Sequence, residues 1–118
     1  MTRQKLEQQV ERHTMQLLIE KGYASPIDLL IKMDRLKPKQ VDDWRRKRTP
    51  FLERAMAVNL NKLNFILSTL KRVAKAHNLK PKQTNYQSWG KGAKQTLQFS
   101  KSGQVQVEKL YSTHYVRL

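Results

Sequence analysis

Histidines, lysines and aromatic residues are the side chains of this sequence that could act chemically on a polyanion. The histidines are His13, His77 and His114, and no two of them are three or four positions apart. This spacing gives no support for a metal site, and the sequence has no cysteine. His77, His114 and a lysine could serve as general acid, general base and phosphate clamp, so a small basic ribonuclease-like toxin is one alternative. The sequence favours a protein that is not an enzyme, and we assign no catalytic residue, metal or cofactor.

Positive charge is the strongest chemical signal. The 118 residues hold 24 Lys and Arg against 9 Asp and Glu, a formal charge of +15. Residues 1–53 carry 12 basic and 8 acidic residues, a net +4, whereas residues 54–118 carry 12 basic residues and only Glu108, a net +11. Such asymmetry is typical of an anion-binding region, so we expect a nucleic acid as partner, with DNA favoured over RNA. A generic basic surface and an acidic protein partner are alternatives, and we predict no membrane partner.

The residues expected to contact nucleic acid lie in the second half of the chain and just before it. Candidate phosphate contacts are Arg45, Arg46, Arg48, Lys71, Arg72, Lys75, Lys91, Lys94 and Lys101. Tyr86 and Trp89 precede a Gly-Lys-Gly segment and are candidates for stacking on an unpaired base. The alternative for these aromatic residues is a structural role, as a cover for the core.

The elements that must position these residues begin with three predicted helices. Apolar spacing predicts them over residues 3–21, 26–34 and 38–47. Capping signals mark their ends at Gly22, Ser25, Pro26 and Pro38. The second and third helices have the size of a helix-turn-helix unit, in which Asp34 replaces the usual turn glycine. Both a DNA-reading unit and a structural helical corner fit this pattern, and Trp44 is expected to anchor the core.

A long fourth helix is predicted over residues 50–77, because Thr49 and Pro50 form a helix start and no breaker follows before Asn78. Its apolar residues alternate at spacings of four and three, which is a heptad seam that includes Asn59. A second apolar strip lies nearly opposite, at Phe51, Val58 and Phe65. Asn59 is expected to be a satisfied polar residue of the core or to set the register of a homodimer. An oligomeric interaction or adaptor protein with this helix as interface is therefore the main alternative function.

The chain changes character after Pro81. Alternating residues predict two strands, 84–89 and 95–100, which form a β-hairpin around a Gly-rich loop. Residues 105–111 favour a short helix over a strand. The apolar end of the chain, residues 113–118, is expected to dock on the core, with the Phe51, Val58 and Phe65 strip as a candidate place.

These elements combine into one predicted domain, residues 1–118. Its fold class is mainly α, with three N-terminal helices packed on one long helix, plus a C-terminal β-hairpin and a short terminal helix. Residues 1–80 form the helical part and residues 81–118 the basic hairpin and docked tail. No apolar run approaches the roughly 20 residues that cross a bilayer, and the first residues do not resemble a signal peptide, so we expect a cytoplasmic protein.

Several segments together resemble a group of short bacterial proteins of unknown function. These segments are Ser25-Pro26-Ile27-Asp28-Leu29-Leu30, Trp44-Arg45, Pro50-Phe51-Leu52-Glu53, Trp89-Gly90-Lys91-Gly92, Phe99-Ser100-Lys101-Ser102-Gly103 and Thr113-His114-Tyr115-Val116. The resemblance covers nearly the whole chain. It implies no activity or site, and it supports one domain that includes the C-terminal tail.

Overall fold

Five α-helices and three short strands make up the fold in the computed structural model, which describes residues 2–56, 58–90 and 92–117. The helices are α1 (Arg3–Lys21), α2 (Pro26–Lys32), α3 (Pro38–Arg45), α4 (Leu60–Ala76) and α5 (Val105–Ser112). The strands are β1 (Tyr23–Ala24), β2 (Lys80–Gln83) and β3 (Thr113–Val116). A 3-10 turn, Leu52–Ala55, lies between α3 and α4. The prediction of a mainly helical chain is confirmed.

The first three helices begin where their capping residues predict. Gly22 ends α1 with a left-handed φ of 80°, and its N–H donates to the Leu18 carbonyl. Ser25 accepts from the backbone N–H of Asp28 at 3.1 Å and so caps α2. Asp34 adopts a φ of 59° in the turn between α2 and α3, the backbone geometry expected of a residue that replaces the turn glycine. Both α2 and α3 end two residues earlier than predicted.

The prediction of one long helix over residues 50–77 is wrong for the first third of that range. The chain forms a 3-10 turn and then extends at Met56, and α4 begins only at Leu60. The cause is Asn59, whose Oδ1 accepts the backbone N–H groups of Asn61 and Lys62 at 2.7 and 3.2 Å. Asn59 is therefore the exposed N-cap of α4 and neither a core residue nor part of a seam.

The apolar seam that remains on α4 is covered by the chain itself. Leu63, Ile66, Leu70 and Val73 are all buried, and α1 packs along this helix. Burial inside one chain therefore explains the apolar periodicity of α4, and no second copy is needed to explain it. A homodimer through this helix stays a prediction, and it would have to use other faces of α4.

The predicted β-hairpin is wrong as a pair of strands. The described residues of 84–100 contain one isolated bridge, Gln87 to Thr96, and two flanking bonds from Ser88 N to Gln95 O and from Leu97 N to Tyr86 O. Other backbone groups of this segment form hydrogen bonds with residues outside it, and these bonds prevent a regular ladder. These outside bonds are Leu52 N to Gln98 O, Glu53 N to Phe99 O and Trp89 N to Arg45 O.

The C-terminal tail forms the centre of a small sheet. Its strand β3 lies between β1 and β2 and is antiparallel to both. Tyr23 is opposite Val116, and Lys82 is opposite His114. The docking of the tail is confirmed, and it occurs through backbone pairing with β1 and β2, whereas docking on the Phe51, Val58 and Phe65 strip stays a prediction. The helix predicted before the tail is confirmed as α5.

An aromatic cluster joins the helices to the C-terminal part. Trp44 is fully buried, as predicted, and its Nε1–H donates to the Gln98 carbonyl at 2.8 Å. Its ring centroid lies 4.9 Å from that of Phe99 and 5.8 Å from that of Tyr86. Phe99 in turn stacks on Tyr111 at 5.2 Å. The cluster fixes Tyr86 against α3, which matters for the surface described next.

Candidate nucleic-acid interface

The outer face of the sheet is both basic and aromatic. Side chains at alternate positions share a face, so the observed register places Tyr23, Lys80, Lys82, His114 and Val116 on one side. The opposite side carries Ala24 and Tyr115, which are buried in the core. The Tyr23 and His114 rings stack at 5.3 Å between centroids with planes 3° apart. The sheet therefore presents two lysines beside a stacked aromatic pair.

Tyr86 extends this face toward α3. Its hydroxyl oxygen lies 2.7 Å from His114 Nε2, and its ring meets the His114 ring edge-on. The Arg45 guanidinium lies over the Tyr86 ring, 4.7 Å from its centroid. The Arg45 Nη1–H also donates to the Gln87 carbonyl at 2.7 Å. Arg45 thus holds the segment 84–100, whose described residues form no regular strands and which is called the irregular segment below, against the end of α3.

Trp89 is the exposed end of the same surface. Its side chain is 46% exposed, which is unusual for the largest apolar residue. The guanidiniums of Arg45 and Arg46 lie over its ring at 5.3 and 6.0 Å from the centroid. Its position is fixed by the bond from its backbone N–H to the Arg45 carbonyl, 2.7 Å long. We define the aromatic–basic face as Lys21, Tyr23, Arg45, Arg46, Lys80, Lys82, Tyr86, Trp89 and His114.

A cavity of about 420 Å³ opens within this face. Its walls come from α2, α3, the start of β1 and the irregular segment, and they include the rings of Tyr23, Tyr86 and Trp89. Four charged side chains also line it: the carboxylates of Asp28 and Asp42 and the cations of Lys21 and Arg45. The cavity therefore combines flat apolar walls with hydrogen-bond acceptors, in a chain that is otherwise strongly basic.

Burial changes the acid–base properties of the groups in this face. It raises the pKa of Tyr86 to about 12, an effect to which the nearby Asp28 carboxylate adds. Burial also lowers the pKa of His114 below its ordinary value, and Lys82 lowers it further while Asp28 opposes the change. At neutral pH both side chains are uncharged, and the positive charge of the face comes from Lys and Arg.

The predicted contact residues fall into separate places. Arg45, Arg46, Tyr86 and Trp89 are brought together in the aromatic–basic face. Arg48 and Lys94 lie nearby in sequence, where Arg48 Nη1 pairs with Asp43 at 3.3 Å and Lys94 Nζ donates to the Gly90 carbonyl at 3.4 Å. Lys91 lies outside the described residues.

The other predicted cations are not part of this face. Lys71 lines a separate hollow with Lys109 and Tyr115, and Arg72 pairs with Glu7 of α1 at 2.9 Å. Lys75 is exposed near the end of α4, and Lys101 follows the irregular segment, where its backbone N–H donates to Glu53. The structure does not bring the eight predicted cations that it describes into one continuous patch.

Sequence reasoning missed more than half of the face. Tyr23, Lys80, Lys82 and His114 were not among the predicted contacts, because they meet only through the pairing of β3 with β1 and β2. Lys21, which was also missed, lies at the end of α1 with its Nζ 6.0 Å from the centroid of the Tyr23 ring. The available signal was the β-branched and aromatic residues of Thr113-His114-Tyr115-Val116, which are typical of a strand. The tail alone does not reveal its partner strands.

The two histidines of the ribonuclease alternative line different cavities. His77 is exposed at the end of α4 and lines a hollow with Met15 and Arg117. His114 lies in the aromatic–basic face, where its Nε2 is engaged with Tyr86. The cavity that His77 lines is therefore different from the one that His114 lines. A paired acid–base mechanism has no geometric support in this arrangement.

Comparison with known proteins adds no assignment. We found no protein-family model, curated protein or solved structure that matches the chain. The resemblance to short bacterial proteins therefore stays a prediction. Within the part of the chain that the structure describes, none of the helices is long and apolar enough to cross a bilayer, and no three acidic or histidine side chains cluster as metal ligands.

Proposed function

We propose that the protein binds nucleic acid through the aromatic–basic face. Lysine and arginine side chains contact the phosphates, and Trp89 stacks on an unpaired base. The observation that carries this proposal is the exposed Trp89 ring with the Arg45 and Arg46 guanidiniums over it. Aromatic rings combined with cations are the usual means of binding single-stranded nucleic acid.

The excess of positive charge supports the proposal. The structure describes four ion pairs, so most of the 24 basic side chains have no carboxylate partner among the described residues. Lys80 and Lys82 are exposed in β2 and lie on the same side of the sheet as the stacked Tyr23 and His114 rings. A chain of phosphates that follows β2 would place its bases toward these rings.

The position of the aromatic residues favours single strands over a duplex. Arg45, at the end of α3, is committed to Tyr86 and to the Gln87 carbonyl, so it does not extend into a major groove. Asp42 lies on α3, one turn before the C-cap residue Arg46, and would repel the phosphates of a duplex docked there. An unpaired base, in contrast, needs only an accessible ring such as Trp89.

The test is a salt titration of binding to single-stranded DNA, single-stranded RNA and duplex DNA. We expect the logarithm of affinity to fall linearly with the logarithm of salt concentration, by about 0.7 for each phosphate contact on a single strand. The preference for DNA over RNA stays a prediction that the same titration checks. Absence of binding to all three polymers at low salt would overturn the proposed function.

Charge-removing variants locate the interface. Lys80→Gln with Lys82→Gln should weaken binding and reduce the salt slope by about 1.4, the value for two lost contacts. The matched control is Lys71→Gln with Lys75→Gln, which removes the same charge from α4 and should leave the slope nearly unchanged. If only the α4 pair reduces the slope, the interface lies on α4 and the assignment to the aromatic–basic face is wrong.

A further inference from the structure

The cavity in the aromatic–basic face is chemically unlike its surroundings, because it carries acceptors within a basic surface. Asp28 and Asp42 are two of the chain's nine acidic residues, and both line this one cavity. Asp28 pairs with Lys21 at 3.2 Å. Asp42 is exposed and has no ion pair or side-chain hydrogen bond among the residues that the structure describes. Its carboxylate is therefore available to a ligand.

Two cations, Lys21 and Arg45, also line the cavity, but Lys21 pairs with Asp28 and Arg45 is committed to the Tyr86 ring and the Gln87 carbonyl. The carboxylate of Asp42 is therefore the charge left for a ligand, and it favours a neutral base over a phosphate. A phosphate group next to Asp42 would meet like charge, whereas Lys80, Lys82 and Arg46 outside the cavity offer it opposite charge. A nucleobase is flat, and the Tyr23, Tyr86 and Trp89 rings supply flat walls. The volume of about 420 Å³ lies within the range of about 300–1,000 Å³ that small-molecule sites occupy.

The acceptor selects among the bases. An ionised carboxylate only accepts hydrogen bonds, so it suits a base edge with neighbouring N–H donors. Guanine presents two, N1–H and the N2 amino group, on its Watson–Crick edge. Adenine and cytosine place a ring acceptor beside their amino group, and thymine and uracil flank their single N–H with carbonyl oxygens, all of which repel a carboxylate.

We infer that this cavity binds an unpaired guanine base, with the Asp42 carboxylate accepting hydrogen bonds from N1–H and the N2 amino group. The inference rests on the proposed function, since the base arrives as part of a bound strand. It adds a base preference that phosphate contacts and stacking alone do not provide. Asp42 is thus the residue that determines specificity, and Trp89 at the edge of the cavity is the stacking residue.

The experiment compares three labelled single strands by fluorescence anisotropy. One strand contains only thymine, the second has one central guanine, and the third has hypoxanthine in place of that guanine, which removes the N2 amino group. For the wild-type chain we expect the guanine strand to bind about tenfold more tightly than the thymine strand, with hypoxanthine between them. The Asp42→Asn variant should reduce the guanine preference to about twofold or less.

The matched control is Asp43→Asn, which removes the same charge from the adjacent position. Asp43 pairs with Arg48 and does not line the cavity, so this variant should keep the guanine preference. Equal binding of the three strands by the wild-type chain would overturn the inference and leave the proposed function intact. Failure of every strand to bind at low salt would overturn the proposed function itself. A preference that survives Asp42→Asn would show that Asp42 does not select the base.

Discussion

The Nε1–H of Trp44 and the carbonyl oxygen of Gln98 form a 2.8 Å hydrogen bond between residues 54 positions apart. The Trp44 ring has no exposed surface and packs on Tyr86 and Phe99. This contact ties the irregular segment to α3, and the segment carries Tyr86 and Trp89. The geometry of the aromatic–basic face therefore depends on a core residue that no ligand touches.

Replacing this indole should destabilise the whole fold. Trp44→Phe keeps a ring but removes the hydrogen bond and part of the buried surface, and we expect it to lower the free energy of unfolding by about 1–3 kcal/mol. Trp89→Phe is the control, with an expected change within about 0.5 kcal/mol because Trp89 lies at the surface and keeps its backbone hydrogen bond. Denaturant unfolding followed by circular dichroism measures both. Similar losses from the two substitutions would contradict this explanation.

Glu108 is expected to stabilise the segment before α5. Its carboxylate accepts from the backbone N–H groups of Phe99 and Ser100, both at 2.8 Å, and from the Ser100 hydroxyl at 2.7 Å. Glu108→Gln leaves one donor facing an amide N–H₂, so the free energy of unfolding should fall by about 1.5–3 kcal/mol. Glu7→Gln breaks only the exposed pair with Arg72 and should cost less than about 1 kcal/mol. Equal effects in urea titrations would show that the Glu108 bonds contribute little.

The start of α4 offers a direct test of a cap. Asn59→Ala removes the acceptor for two backbone N–H groups and should lower the free energy of unfolding by about 1 kcal/mol. Asn64→Ala is the matched control, since Asn64 is exposed inside α4 and alanine has the higher helix propensity. It should be neutral or stabilising. If Asn59→Ala were also neutral, the cap would not determine where α4 begins.

Asn59 also shows how far local patterns predict this fold. The three N-terminal helices, the Asp34 turn and α5 follow from capping residues and apolar spacing, which are properties of neighbouring residues. The same spacing continued through Asn59, so it predicted one helix where a cap divides the chain. A heptad pattern does not distinguish a seam residue from an N-cap, because both can be asparagine.

The sheet shows where local patterns are missing, because two of its strands have no strand pattern in their sequence. β2 has the sequence Lys-Pro-Lys-Gln, which carries no strand pattern, and β1 is only two residues long. Both become strands because the tail, which is distant from them in sequence, pairs with them. Trp89 and Arg46 were predictable as site residues from local composition. Lys82 and His114 were not, since their proximity depends on that long-range pairing.

His114 should make stability depend on pH. Burial lowers its pKa in the folded state, and Lys82 contributes in the same direction against the opposing Asp28 carboxylate. The unfolded chain, with a histidine pKa of about 6.5, then binds more protons than the folded chain at pH values between the two pKa values. The stability associated with neutral His114 is fully present above the unfolded pKa. It decreases as the pH falls from the unfolded pKa to the lower folded pKa.

The difference between two chains isolates this effect from the titration of carboxylates. The free energy of unfolding of the wild type should decrease more steeply from neutral pH to about pH 5 than that of His114→Gln. His77→Gln, which changes an exposed histidine outside the aromatic–basic face, should follow the wild-type slope. If wild type and His114→Gln gave parallel curves in urea unfolding, His114 would titrate alike in the folded and unfolded chains. Burial of His114 against Tyr23 and Tyr86 would then not lower the pKa of its imidazole.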